Sequence, residues 1–240
     1  MRSSRIVIVG TGGHAREVLE ILVDCTAKGR PIEPVGFIDE TADGSERFLN
    51  GFPVLGDFNW FARTSLDDVA VICAVGTPSV AQRLVEKATE LGLDFATATS
   101  TLAWVATSAT VGAGAMLFPH VVVNANAAIG RYATLNVAAT VSHDSRIGDF
   151  CSVGPGAHVA GNVVLGRGCF VGMGANIIQG VSVGSGSVIG AGATVLADLP
   201  DGVTAVGTPA RIVGPARDLP LEPHRRARAA IGSDRAEESS

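Results

Sequence analysis

The sequence predicts a two-part chain: a small α/β domain with a short parallel sheet over residues 1–100, then a parallel β-helix over residues 101–214. Residues 215–240 form a C-terminal tail. Three observations carry this. From Val105 to Val195 every sixth residue is Val, Leu or Ile, sixteen in a row. Four places after each of the first fifteen stands a small residue, from Ala109 through Ala139, Ser145, Cys151 and Cys169 to Ala193. Before Trp104 the repeat is absent and apolar runs alternate with a helical stripe.

The elements follow in order. "RIVIVG" is an apolar run suited to a buried parallel strand. Val18, Leu19, Ile21, Leu22 and Cys25 recur at helical spacing and end near Gly29. "VGFID" and "VAVICAVG" are further strands, the latter feeding a helix with Thr77 as N-cap and Pro78 at its first position. Strand–helix–strand alternation implies a small Rossmann-like sheet. A period of six matches neither a helix at about 3.6 nor a simple strand at about two. It suits short strands joined by tight turns, with three hexapeptides making a coil of about 18 residues and stacked coils burying one continuous core. Cys151 and Cys169 fall on the inward track one coil apart, as packing residues. The tail ends in "SDRAEESS", a composition that does not fold alone.

Composition excludes several classes. A net charge of −5 gives no reason to expect nucleic acid or an anionic membrane as partner. The first apolar run is too short for a secretory segment, and no stretch approaches the roughly 20 apolar residues of a membrane span. Four cysteines without a C-x-x-C pair speak against a disulfide framework or a zinc site. The expectation is a cytoplasmic protein.

Two segments could carry chemistry. "GTGGHA", Gly10 to Ala15, follows a strand and opens a helix, and Asp39 ends the next strand. Gly12 and Gly13 would let backbone N–H groups approach phosphate oxygens, with Gly76 lining the same crevice. A nicotinamide dinucleotide, another nucleotide-bearing ligand and a purely structural turn all fit this pattern. The long spacing to Asp39 and the short domain weaken the first. In "TVSHDSRIG", His143 lies two residues after an inward position, so its side chain points outward. Asp144 could orient the ring. Gly161 stacks one coil above, clearing space and leaving an amide donor, which suits acyl transfer.

The hexapeptide tract, the "GTGGHA" opening and "SHDSRIGDF…GNVVLGRGCFVGMGANI" resemble the NeuD/PglD-type sugar acetyltransferases, and "GTPARIV" resembles the closing motif of the wider hexapeptide group. The resemblance covers nearly all of residues 5–214. It implies a left-handed β-helix, an exception to the usual crossover hand, and a homotrimer with active sites between subunits. It implies acetyl-CoA as co-substrate, no metal, and N-acetylation of a UDP- or GDP-linked 4-amino-4,6-dideoxy sugar for surface glycans. His143 matches the family's catalytic base and Asp144 its acidic partner, elsewhere often Glu. Gly161 matches the residue whose amide faces the acetyl carbonyl. Ser152, Gly161, Met173 and Ala191 match positions lining acetyl-CoA, although the family can place His at the Ser152 position and Gly at the Ala191 position. Gly12, Gly13, His14, Asp39, Glu40 and Gly76 match the sugar-nucleotide crevice, and Asn136 a sugar contact. Sugar O-acetylation is the nearest alternative. A β-helix metalloenzyme would need His120, His143 and His158 to converge, which their spacing does not favour. A non-catalytic scaffold is the third alternative.

Overall fold

The computed structural model describes residues 4–41 and 46–216. The tail beyond residue 216, and with it "SDRAEESS", lies outside them. Strand β1 (Ser4–Val9), helix α1 (Gly13–Ala27) and strand β2 (Ile32–Ile38) open the chain. A short hairpin of β3 (Phe48–Leu49) and β4 (Phe52–Gly56) follows, then β5 (Val69–Cys73), α2 (Pro78–Glu90) and β6 (Asp94–Phe95). The sheet order is β3-β4-β2-β1-β5-β6, parallel except for β3 against β4. Helix α1 buries Ala15, Val18, Leu19, Ile21, Leu22 and Cys25, the stripe its spacing predicts. Thr77 stands at the N-cap of α2, but its side chain makes no capping bond; Pro78 with its fixed φ starts the helix instead.

The hairpin and a 3₁₀ segment (Phe58–Arg63) were not foreseen from the sequence. Strands of two and five residues are too short to display alternation. The signal was the turn: Asn50 and Gly51 both have positive φ, at 48° and 82°, the Asn-Gly chemistry of a tight hairpin.

From Ala98 the chain winds into a three-sided coil. The first face runs Ala98–Thr99, Met116–Leu117, Thr134–Leu135, Ser152–Val153, Phe170–Val171 and Val188–Ile189. The second begins at Trp104–Val105 and the third at Thr110–Val111. As far as Thr194–Val195 the strands pair in parallel 18 residues apart, as Thr140 with His158 and Val141 with Val159, and the last step, Val188 to Thr204, is 16. Along the aliphatic track every residue from Leu117 to Val195 is buried, and so is every smaller one from Ala115 to Ala193. Burying one such aliphatic side chain contributes about 1.5–3 kcal/mol, and stacking makes that burial continuous. Ser145 and Ser187 stand on the small track fully buried, and each hydroxyl both donates and accepts. The antiparallel pair Val203–Val206 and Arg211–Pro215 closes the first face.

Three corners join the faces, each a three-residue turn. The first (118–120, 136–138, 154–156, 172–174, 190–192) lies between the first and second faces. The second (124–126, 142–144, 160–162) lies between the second and third, and the third (130–132, 148–150, 166–168) completes the coil. The last residue of each turn is left-handed, with φ near 60° at Asn126, Tyr132, Asp144, Phe150 and Asn162.

Only residues 96 and 97 separate β6 from the coil, and aromatic contacts dock the two parts. His14 stacks on Phe118 at 5.0 Å and Phe95 meets Tyr132 edge-on at 4.9 Å, while within the coil Tyr132 is backed by Phe150 at 4.8 Å.

Candidate active site

His143 is the middle residue of a second-corner turn. Its ring projects from the coil, and 61% of the side chain is exposed. Asp144 follows in the left-handed place at φ 59°, a conformation Asp tolerates better than most residues. That backbone brings its Oδ2 to 2.8 Å from His143 Nδ1. A proton on Nδ1 donated to this carboxylate leaves the Nε2 lone pair free. The bonds from His143 and from Asn126 hold the Asp144 carboxyl below the usual range.

Gly161 lies one coil above. A Cβ built there would sit 2.6 Å from His143 Cε1 and 2.7 Å from Nε2. The space the glycine clears is therefore taken up by the His143 ring itself. Among the described residues no acceptor meets the Gly161 N–H. At the third corner, the corresponding amides of Arg131 and Ser185 donate to the carboxylates of Asp149 and Asp201. Ser145 ties the two turns together, donating to Ala160 O at 2.7 Å and accepting from Val163 N at 3.1 Å. An imidazole with a free Nε2, beside an unspent amide, has the parts for proton removal and oxyanion stabilisation.

The other predicted residues stand elsewhere. Asn136, Met173 and Ala191 all lie on the first corner, the far edge of the second face from His143. Met173 O accepts from Gly192 N at 2.8 Å, and Met173 is 62% exposed. Asn136 Oδ1 accepts from Val137 N at 2.7 Å. Ser152 lies on the first face. Within one chain these residues do not converge on His143. A separate cleft of about 300 Å³ between α1 and the first corner, lined by Ile21, Leu102, Phe118 and Val137 among others, contains none of the predicted site residues.

At the α/β domain, Gly12 is the N-cap of α1 without a side-chain cap, and the first turn carries no acidic residue. A Cβ at Gly12 would meet nothing within 4 Å, and at Gly13 only the end of Arg16. Neither has a left-handed φ. Packing and backbone conformation therefore do not require glycine here, whereas close approach of an anion to the free amides would. Asp39 accepts from Thr11, Thr41 and Arg47. Burial alone would raise its pKa, but these bonds outweigh it and hold the carboxyl low. At Glu40 burial is likewise outweighed, by Lys87 at 3.0 Å and Arg83 at 2.7 Å. Gly76 lies just past β5, before α2.

His14 is placed differently from an open crevice residue. Its ring is buried against Phe118, its Nε2 has no partner, and burial lowers its pKa to about 4. Phe118, Thr11, Arg47 and Asn126 were not singled out from the sequence. Asn126 could have been, because it stands 18 residues before Asp144.

Among the described residues no three His, Cys, Asp or Glu are grouped to hold a metal ion, and no helix is long and apolar enough to cross a membrane. All four cysteines are free and buried.

Residues 5–88 match the PglD N-terminal domain, and residues 144–179 and 162–197 match the bacterial transferase hexapeptide (six repeats). No curated protein matches the chain. The acetyltransferase domain of PglB from Neisseria gonorrhoeae FA1090, solved with acetyl coenzyme A, is 33% identical with a TM-score of 0.81, over 88% of this chain and 100% of that one. The chain belongs to the NeuD/PglD-type sugar acetyltransferases. Perosamine N-acetyltransferase from Caulobacter crescentus, solved as a point mutant with CoA and GDP-perosamine, is 36% identical with a TM-score of 0.80, over 87% of this chain and 96% of that one. WeeI from Acinetobacter baumannii AYE is 31% identical, with a TM-score of 0.78 over 87% and 99%. As a NeuD/PglD-type acetyltransferase the chain joins an α/β domain to a left-handed β-helix.

Proposed function

We propose that this protein transfers an acetyl group from acetyl-CoA to the amino group of a UDP- or GDP-linked 4-amino-4,6-dideoxy sugar destined for surface glycans. The observation that carries the reading is the Asp144-held imidazole of His143 beside the unspent Gly161 amide. The Caulobacter enzyme's GDP-perosamine and CoA supply the substrate class.

His143 Nε2 takes a proton from the sugar amine as its nitrogen bonds to the thioester carbonyl carbon. Gly161 N–H donates to the carbonyl oxygen as negative charge develops on it. His143 then returns the proton to the departing sulfur as the carbon–sulfur bond breaks. Transfer is direct, since every cysteine is buried. Gly12 and Gly13 present the α1 amides to the diphosphate, with Asp39, Glu40 and Gly76 around the same crevice and His14 beneath it. Ser152, Met173 and Ala191 line the CoA arm, and Asn136 contacts the sugar.

The crevice and Asn136 share the first-corner edge, because His14 rests on Phe118, one coil below Asn136. His143 stands on the next edge. A threefold assembly would bring the first corner of one copy to the second corner of its neighbour, so we infer a homotrimer with sites between subunits. Its soluble substrates make the cytoplasm the site of action. Light scattering at micromolar concentration should give three times the chain mass; a monomer that turns over would remove the shared site.

The test is a panel of nucleotide-linked amino sugars with acetyl-CoA, alongside the same sugars bearing hydroxyl in place of amine. An amino sugar should be acetylated and its hydroxyl analogue not. His143→Ala should lower kcat by about 10²–10⁴ with both substrates still bound. Turnover near the wild-type rate in that variant would refute the mechanism.

A further inference from the structure

Beneath the His143 turn the second corner carries side chains that the reaction above does not use. Asn126 stands one coil below Asp144, in the left-handed place of its own turn. Its Nδ2 donates to Asp144 Oδ1 at 3.0 Å, while Asp144 Oδ2 accepts from His143 Nδ1 at 2.8 Å. One coil lower again, Ser108 Oγ accepts from the Asn126 backbone N at 3.1 Å. The column thus runs Ser108, Asn126, Asp144, and ends on the imidazole.

We propose that Asn126 is a positioning residue of the acetyl transfer, holding the Asp144 carboxylate in the orientation that presents His143 Nε2 to the amine. This rests on His143 being the base. A carboxylate turns easily about its last torsion, and the Asp144 side chain is 45% exposed. With one oxygen bonded only to water, it has little to keep the other aimed at Nδ1. The amide of Asn126 fixes Oδ1 from below, so Oδ2 stays with the ring. Asn162 shows that the residue type alone does not create this contact. It occupies the same left-handed place one coil above Asp144, yet its side chain makes no hydrogen bond among the described residues. Among the described residues the titratable group facing Asp144 is His143, and Asn126, Ala125 and Ser108 are neutral.

Two variants separate positioning from a preference for left-handed backbone. Asn126→Gly keeps the backbone freedom and loses the donor. Its kcat should fall about fivefold, the scale of one ordinary hydrogen bond in a partly exposed site, with KM and melting temperature kept. Asn126→Asp keeps the shape and adds a carboxylate, which favours the imidazolium and moves the acidic limb of the kcat profile to higher pH. Asp144→Asn, measured beside it, should move that limb to lower pH. Wild-type kcat in Asn126→Gly overturns the proposal, as does an unmoved limb in Asn126→Asp. Either result leaves His143 as the base untouched, whereas an active His143→Ala removes the reaction on which the proposal rests.

Discussion

Two corners of the same coil use glycine for opposite reasons. At the third corner Gly112, Gly130 and Gly148 stand in one column, and a Cβ at each would press on the backbone of the next coil. At Gly148 the nearest atoms are Arg167 N and Gly166 C, both at 2.7 Å. At the second corner the matching turn position is filled by Asn124, Ser142 and Ala160, so the backbone there leaves room. Gly161 is one place later, and what a Cβ would strike is the His143 ring. Backbone cannot yield without moving a whole coil, whereas an exposed ring can swing away. Glycine is thus a requirement of the coil at one corner and of the site at the other.

Gly161→Ala should give the largest effect that separates them. The added methyl displaces the base, and a shift of about 1 Å costs on the order of 10²-fold in kcat. Melting temperature should hardly change, because the colliding group is the end of a side chain. Calorimetry showing a large drop with activity per folded molecule intact would reverse the assignment. Gly148→Ala should behave in the opposite way. Overpacking against backbone costs roughly 1–3 kcal/mol, and about 2–4 °C of melting temperature is lost per kcal/mol in a domain this size. Turnover by the remaining folded protein should match wild type.

The contrast extends to the histidines, where the effect at neutral pH is smallest. His143 is exposed and carboxylate-bound; His14 is buried, and its pKa falls to about 4 from 6.5. A depressed histidine is neutral when folded, so the unfolded chain takes up a proton that the folded one excludes. That contribution is complete above about pH 6.5 and is lost as pH falls toward 4, by up to roughly 3 kcal/mol. His14→Phe keeps a ring on Phe118 and cannot titrate. Its stability should fall less between pH 6.5 and 4 than that of wild type; parallel curves would show that His14 does not contribute.

How much was legible depended on whether spacing along the chain equals spacing in space. In a coil it does. Val105 to Val195, the small track beside them, and the stacking of Gly161 over His143 all follow from one period, because up to Val195 a residue's neighbour above is 18 places on. Asp144 is simply the next residue after His143, and the same arithmetic carried down from it would have reached Asn126. The α/β domain offers no such rule: the β3–β4 hairpin, the ring of Thr11, Thr41 and Arg47 around Asp39, and the Arg83 and Lys87 pair on Glu40 join residues whose separations follow no period.

By itself, then, the sequence determined the coil, its inward faces and the side chains at each corner, since local period and tight turns leave one way to stack. Tertiary structure decided what those residues meet. His14 reads as an open crevice residue until Phe118, 104 positions later, covers it. Gly161 reads as cleared space above His143, and the rotamer of His143 decides that the ring itself takes it up. Asn136, Met173 and Ala191 match sugar and CoA positions by resemblance, and the triangular section puts them on a different edge from His143. In each case the deciding quantity is a side-chain direction or a distance across the fold, and a one-dimensional pattern does not carry it.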